Sequence, residues 1–208
     1  MALTKAIEAV DAWAEVTAGA LREGATIDLT PNYDTTLHID VALAEAAAEA
    51  IGATIVVQVS SNSTGDTDWT ALTSFGGPVG TPIAKAMGGT EAAGQTVLTV
   101  ADPVTANLNH HGKLLFLENT TPANSEIVYS VADSGDAGDT ITIQDGLANE
   151  QTAAACVIWS IDGAASAVAQ YNVALPMSAN RVRVIYDNIL ATGTDIFSRA
   201  RITKVTAV

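Results

Sequence analysis

Two runs near the end of the chain alternate between apolar and polar side chains with a period of two. The first run is Arg181–Asn188 and the second is Asp195–Val205, with Gly193 in the short connection between them. A period of two is typical of a β-strand with one buried and one solvated face. The short connection favours antiparallel pairing, with Gly193 at the turn. Because an isolated hairpin is only marginally stable in water, the rest of the chain must supply a sheet for it. The predicted buried face comprises Val182, Val184, Tyr186, Ile196, Ala200 and Ile202.

The opposite face of this predicted hairpin carries four arginines. They are Arg181, Arg183, Arg199 and Arg201. Like charges side by side on a sheet are unfavourable without counter-charges, so we predict an interaction surface at these four residues. Two sources of counter-charge remain open, namely acids of the protein itself and an acidic surface of a partner. The internal candidates are Asp28, Asp40 and Asp187.

Strand-like patterns recur along the chain and predict an all-β protein of two domains. The strand pattern breaks near residue 76 and resumes after Gly163. Residues 1–80 and 161–208 are predicted to form one discontinuous jelly-roll-like β-sandwich base, because neither segment has enough strands alone. Residues 81–160 are predicted to form a small β-sandwich or barrel inserted in a surface loop, where a long insertion costs little. Its predicted strands lie at 95–100, 113–118, 125–131, 140–144 and 155–161.

Two segments of the base favour short helices instead of strands. Leu3, Ile7, Val10 and Trp13 recur at helical spacing, which indicates either a short helix or an ordered arm over residues 3–14. The alanine-rich run 44–51 has high helix propensity and ends at a glycine. Each segment is short, so tertiary contacts can override the local preference.

Charge and composition exclude several classes of function. The net charge of −14 argues against a nucleic-acid partner, because phosphate binding needs a basic surface. Residues 161–208 nevertheless carry +2, so the cations are concentrated near the end of the chain. The sequence has no run of about 18 apolar residues, so we expect no membrane-spanning helix, and its first residues do not resemble a secretory signal. The single cysteine, Cys156, lies in an apolar run and is expected to be a buried small side chain.

The candidate chemical sites are weak, so we predict no catalytic, cofactor-binding or metal site and no enzymatic activity. His38 and Asp40 share a strand face, but no spacing predicts a third metal ligand. The His110–His111 pair reads as a turn. The acids of Asp133–Asp139 are spaced somewhat like a calcium loop but lack the glutamate at its twelfth position, so a solvated turn is the simpler interpretation. Scattered strand acids are the remaining candidates for paired carboxylates: Glu118, Glu126, Asp145 and Glu150.

Several stretches resemble auxiliary proteins that decorate or cement the heads of tailed bacteriophages. The resemblance spans most of the chain and is one of general sequence texture. It is carried by Asp34–Ala42, Ile55–Ser60, Trp69, Leu72, Asn124–Glu126, Asp145–Leu147 and Arg181–Asn188.

This resemblance implies a structural virion protein on the exterior of the capsid, assembled in the host cytoplasm. Its partners would be the major capsid protein and further copies of itself, most simply in a homotrimer at a symmetry axis. The base would grip the shell and the inserted domain would lie outside. Two alternatives remain open: a tail or neck component of the same kind of particle, and a glycan-binding β-sandwich.

Overall fold

The protein is built from β-strands, which confirms the predicted all-β fold. The structure is a computed structural model, and it describes residues 3–30, 34–43, 53–65, 67–101, 112–133, 140–161, 166–189 and 195–207. In chain order the strands are β1 (Leu3–Val16), β2 (Leu21–Glu23), β3 (Ile27–Asp28), β4 (Asp34–Leu43), β5 (Thr54–Ser60), β6 (Thr70–Gly76), β7 (Pro82–Ala86), β8 (Val97–Thr99), β9 (Leu114–Asn119), β10 (Glu126–Asp133), β11 (Thr140–Ile143), β12 (Cys156–Ile161), β13 (Val168–Ala174), β14 (Arg181–Asp187) and β15 (Ile196–Ala207).

The base is a β-sandwich with the strand pairing of a jelly roll. Sheet I has the order β1-β15-β4-β13, and sheet II has the order β2-β14-β5-β6, with the short β3 also paired to β14. Apart from β3, the strands pair from the outside of the chain inwards: β1 with β15, β2 with β14, β4 with β13, and β5 with β6. This nested antiparallel pairing across two sheets defines a jelly roll, so the predicted jelly-roll-like base is confirmed.

The core of the base lies between sheets I and II and is built by the alternation read from the sequence. Odd-numbered residues of β4 and even-numbered residues of β14 and β15 point into it, as expected for side chains that alternate across a pleated strand. The six residues of the predicted buried face all belong to this core. They meet Leu37, Ile39 and Val41 of β4 and Ile55 and Val57 of β5, which are fully buried.

The predicted closing hairpin is wrong, because its two strands lie in different sheets. β14 pairs with β2, β3 and β5 in sheet II. β15 pairs with β1 and β4 in sheet I. Most successive strands of a jelly roll cross from one sheet to the other, so a short connection does not imply pairing. The alternation identifies the buried face of each strand but not its neighbour.

Of the two alternatives predicted for residues 3–14, the short helix is wrong, because residues 3–16 form strand β1. This strand pairs antiparallel with β15 from Leu3 opposite Ala207 to Val16 opposite Ile196, with irregularities between Ala9 and Ala14. The long ladder supplies backbone hydrogen bonds that outweigh a weak local helix preference. The predicted helix at 44–51 lies outside the described residues.

The insert forms its own sheet, with the order β7-β12-β9-β10-β11-β8. Strands occur at all five predicted positions, and β7 is an additional one. The sheet curls so that its two edges meet, because Gly88 N–H donates to Thr99 O (2.8 Å) and Ala101 N–H donates to Ala86 O (3.0 Å). Closing a sheet in this way removes exposed edges. Independent folding of residues 81–160, and of 1–80 with 161–208, stays a prediction.

A separate apolar cluster joins the insert to the outer face of sheet I. Trp13, Ala42 and Phe197 of sheet I pack against Phe116 of β9 and Trp159 of β12. The ring centroids of Phe116 and Trp13 are 4.7 Å apart, and those of Phe116 and Phe197 are 5.7 Å apart. Sheet I is therefore buried on both faces at the end nearest the insert, while the rest of its outer face is left uncovered by this cluster.

Gly24 occupies a position where no side chain fits. A Cβ atom there would lie 2.3 Å from Asp11 Oδ2 and 3.0 Å from Val184 O. Asp11 is held in place because its Oδ1 accepts a hydrogen bond from Ala25 N–H (3.0 Å). We expect Gly24→Ala to lower the free energy of unfolding by about 1–3 kcal/mol in urea denaturation, since overpacking displaces neighbours. A matched Gly89→Ala variant, where a Cβ meets nothing within 4 Å, should be neutral; equal losses in the two variants would contradict this explanation.

Candidate interaction surfaces

The four predicted arginines lie on opposite outer faces of the sandwich and do not form one patch. Arg181 and Arg183 alternate with core residues of β14 and point outwards from sheet II. Arg199 and Arg201 alternate with core residues of β15 and point outwards from sheet I. The period-two placement of each arginine pair within its strand is as predicted. The two pairs are separated because β14 and β15 do not pair with each other.

Asp40 is the counter-charge for both arginines of sheet I. Its Oδ2 atom lies 2.7 Å from Arg199 Nε and 3.0 Å from Arg201 Nη2. Gln170 Nε2 donates to the other oxygen, Oδ1, at 2.8 Å. The Asp40 side chain is 3% exposed, whereas those of Arg199 and Arg201 are 22% and 39% exposed. One buried carboxylate thus pairs with two guanidinium groups, so the cluster of Asp40, Arg199 and Arg201 carries one more positive than negative charge.

The surface around this cluster is polar, and Glu15, opposite Phe197, lies on it beside the junction with the insert. His38 lies opposite Arg201 on the neighbouring strand, and its ring nitrogens contact Asn172 Oδ1 (2.5 Å) and Thr203 Oγ1 (2.8 Å). The register of β1 with β15 places Lys5 and Ile7 on this same outward face. We call the surface formed by Lys5, Ile7, His38, Arg199 and Arg201 the basic face. Ile7 is 68% exposed, and Asp34 lies at the far corner, opposite Val205.

The arginines of sheet II are engaged by different groups. Arg183 forms an ion pair with Glu23 and donates from Nε to Gln58 Oε1 at 2.8 Å. Arg181 is buried, and its Nε donates to Asn62 O at 2.7 Å. Both guanidinium groups lie over the ring of Trp69, at 5.0 Å for Arg181 and 4.3 Å for Arg183. This pair therefore anchors the β5–β6 loop, in which Asn62 and Trp69 lie.

Only part of this pairing could be anticipated from the sequence. Asp40 was one of three predicted internal acids, and it does bind Arg199 and Arg201. Asp28 is opposite Arg181 in register, but its pKa is lowered mainly by hydrogen bonds from Thr30, with smaller contributions from Lys204 and Arg181. The Asp187 carboxylate accepts from Ile189 N–H. Glu23 was not predicted, because its proximity to Arg183 depends on the pairing of β2 with β14.

The weaker chemical candidates gain no support in the described residues. Burial, with the nearby carboxylates of Glu126 and Glu118, raises the pKa of Cys156 to about 12, so the thiol stays protonated and is a poor nucleophile. No group of three His, Cys, Asp or Glu residues suited to a metal ion occurs in the described parts of the chain. The His110–His111 pair and residues 134–139 of the calcium-like loop lie outside those parts. No helix among the described residues is long and apolar enough to span a membrane.

Glu118 is expected to make the stability of the protein depend on pH. Its carboxylate accepts a hydrogen bond from Trp159 Nε1 at 2.6 Å. Burial raises the pKa of Glu118, and the bond from Trp159 partly opposes that rise. The folded state therefore holds the proton more tightly than the unfolded state, and the resulting stabilisation is lost as the pH rises through the raised pKa. Glu118→Gln should remove this loss, so the variant should gain stability relative to the native protein as the pH rises above the ordinary glutamate pKa of about 4.3.

Urea denaturation at several pH values measures this effect. Trp159→Phe is the complementary variant, because it removes the donor that lowers the pKa of Glu118. It should steepen the loss of stability with rising pH, whereas Glu118→Gln should flatten it. Parallel pH curves for the native protein and Glu118→Gln would show that Glu118 does not titrate differently on unfolding.

Comparison with known proteins identifies no family. No protein-family model matches the sequence, and no curated protein matches it. Among solved structures, that of infectious bursal disease virus Gx strain shares 10% identity over 98% of this chain and 82% of the other, with a TM-score of 0.26. VP17, a capsid protein of bacteriophage P23-77, shares 11% identity over 100% of this chain and 99% of the other, with a TM-score of 0.22. Both are viral proteins, but similarity this low carries no argument about this chain, whose fold rests on its own strand pairing.

Proposed function

We propose that this chain is a structural virion protein that decorates or cements the capsid shell of a tailed bacteriophage. The observation that carries the proposal is that the outer face of sheet I is only partly covered by the insert. The insert buries one end of that face through Phe116 and Trp159, and the basic face begins beside it, where the guanidinium group of Arg199 lies 4.5 Å from the centroid of the Trp13 ring. A protein of net charge −14 that concentrates cations beside an exposed isoleucine is suited to bind an acidic partner there.

The proposed partner is the major capsid protein, bound through the basic face on the exterior of the shell. The resemblance of the sequence to auxiliary head proteins supports this choice of partner. Jelly-roll sandwiches occur in viral capsid domains as well as in lectins and cupins. A homotrimer is the proposed oligomer, since closed symmetric rings match capsid axes. A particle reconstruction with isolated single copies would contradict the trimer without affecting the attachment proposal.

Arg201→Gln tests the proposed attachment. Arg201 is the more exposed of the two arginines on Asp40, and its loss leaves Arg199 and Gln170 on that carboxylate. We expect the free energy of unfolding to change by less than about 1 kcal/mol, as is usual for an exposed pair. Co-sedimentation with shells of the major capsid protein should show roughly tenfold weaker binding at low salt, and a smaller difference at high salt.

Lys85→Gln is the matched control for this experiment. It removes the same unit of charge, but Lys85 lies on β7 of the insert, away from the basic face. Its binding to shells should equal that of the native protein. If the two variants bind equally well, the basic face is not the attachment surface, and if shells do not bind the native protein, the proposed function is wrong.

A further inference from the structure

A half-open polar pocket lies at the end of the sandwich away from the insert. Its volume is about 160 Å³. The end of β5, the start of β6 and the turn between β13 and β14 surround it, and the hydroxyl-bearing residues Ser60, Ser61, Thr70 and Ser178 line it. Pockets for drug-sized ligands span about 300–1,000 Å³, so this one is of a size for a single small ring.

The walls of the pocket are held in place by buried or clamped groups. Arg181 is 8% exposed, and it donates from Nε to Asn62 O at 2.7 Å and from Nη2 to Ser60 Oγ at 3.4 Å. Asn180 joins the β13–β14 turn to β5, since its backbone N–H donates to Ser60 O at 2.9 Å and its side-chain amide donates to Ser61 O. The pocket is therefore formed before any ligand arrives, which lowers the entropic cost of binding.

Asp68 lines this pocket in a strained backbone conformation. It is the residue other than glycine with a positive φ among the described residues, at 63°. Such a conformation is unfavourable for most residues and persists where the surrounding structure enforces it. Asn62 Nδ2 donates to Asp68 Oδ2. A fixed acceptor thus lines the pocket beside the hydroxyl groups.

The lining also includes apolar residues, and the combination bears on the class of ligand. Val59, Pro176 and Ala179 supply the apolar part. An apolar ligand would leave the carboxylate and hydroxyls unpaired, which is costly, and an anion would be repelled by Asp68 and by the acidic protein as a whole. A small neutral ring with hydroxyls on its rim and C–H groups on its face satisfies both linings.

We propose that this pocket binds one neutral hexopyranose unit. In this complex Asp68 accepts hydrogen bonds from one sugar hydroxyl or from two adjacent ones. The serine and threonine hydroxyls complete the polar contacts, and Pro176 packs against the C–H face of the ring. The ligand is either a free monosaccharide or the terminal residue of a longer neutral glycan, because the pocket is open on one side. This inference is independent of the proposed attachment to a capsid, which uses the outer face of sheet I.

Nuclear magnetic resonance titration of the full-length protein tests the proposal. The probes are the methyl glycosides of glucose, galactose and mannose and one neutral oligosaccharide ending in each sugar. At least one probe should give saturable shifts in the millimolar range, centred on residues 59–61, 68–70 and 176–180. Asp68→Asn keeps the size of the side chain and tolerates the same backbone conformation, and it should weaken binding at least tenfold.

Asp145→Asn is the control, because it removes one exposed acid in the insert. It should bind like the native protein, and all variants are checked for unchanged melting temperature. Binding of the oligosaccharide alone, weakened by Asp68→Asn, supports the terminal-residue form of the proposal. The proposal is overturned if no probe binds, if shifts occur elsewhere, or if Asp68→Asn binds as well as the control.

Discussion

Phe116→Ala is expected to lower the free energy of unfolding by about 4 kcal/mol, the largest effect of any substitution considered for this protein. Phe116 is fully buried and is the residue of the insert whose ring contacts both Trp13 and Phe197 of sheet I. Removing the ring leaves a cavity at the junction of the two units, and the surrounding side chains relax into it only partly.

The same substitution should also uncouple the two units during unfolding. Trp13 and Trp159 both lie in the junction, so tryptophan fluorescence reports its opening, while circular dichroism reports loss of all strands. The two signals should coincide in the native protein and separate in Phe116→Ala, because cooperativity depends on the shared interface.

Phe75→Ala serves as the matched control for the junction. Phe75 stacks on Tyr171 with ring centroids 4.3 Å apart, at the edge of the base core. Its removal should cost less and leave the two signals coincident. If Phe116→Ala stays within about 1 kcal/mol of the native protein, the aromatic contacts do not couple the insert to the base.

Asp40→Asn is expected to lower the free energy of unfolding by about 2 kcal/mol. Removing one partner of a buried ion pair typically costs 3–5 kcal/mol, but the side chains of Arg199 and Arg201 are 22% and 39% exposed, so solvent screens part of the uncompensated charge. Two neighbouring guanidinium groups then repel each other, and the loss should shrink as salt is added. Thermal and urea unfolding at two salt concentrations measure both effects.

Two further variants test this explanation of Asp40. Asp34→Asn, which removes an exposed acid from the same strand, should change stability by no more than about 0.5 kcal/mol. Adding Arg201→Gln to Asp40→Asn should restore part of the lost stability, since it removes one uncompensated cation. If the double variant is less stable than Asp40→Asn alone, repulsion between the arginines is not the cause of the loss.

Some features of the site follow from the sequence, and others depend on long-range pairing. The placement of Arg199 and Arg201 on one face of a strand is local, because successive side chains alternate across the backbone. The burial of Asp40 is not local. It requires β4 to lie between β15 and β13, which brings two arginines and Gln170 onto one carboxylate. The sequence pattern of β4 placed His38 and Asp40 on one strand face and could not show the neighbours that bury the acid.

For strands such as β14, the sequence by itself determined that the residues are extended and that Val182, Val184 and Tyr186 face the core, because side-chain alternation is a property of each strand. The tertiary structure alone decided that β14 and β15 lie in different sheets, that residues 3–16 form a strand, and that the β5–β6 loop and the β13–β14 turn enclose a pocket. These features arise from hydrogen-bond ladders and packing between residues far apart in the chain, and the free energy of such contacts is not encoded in any local period.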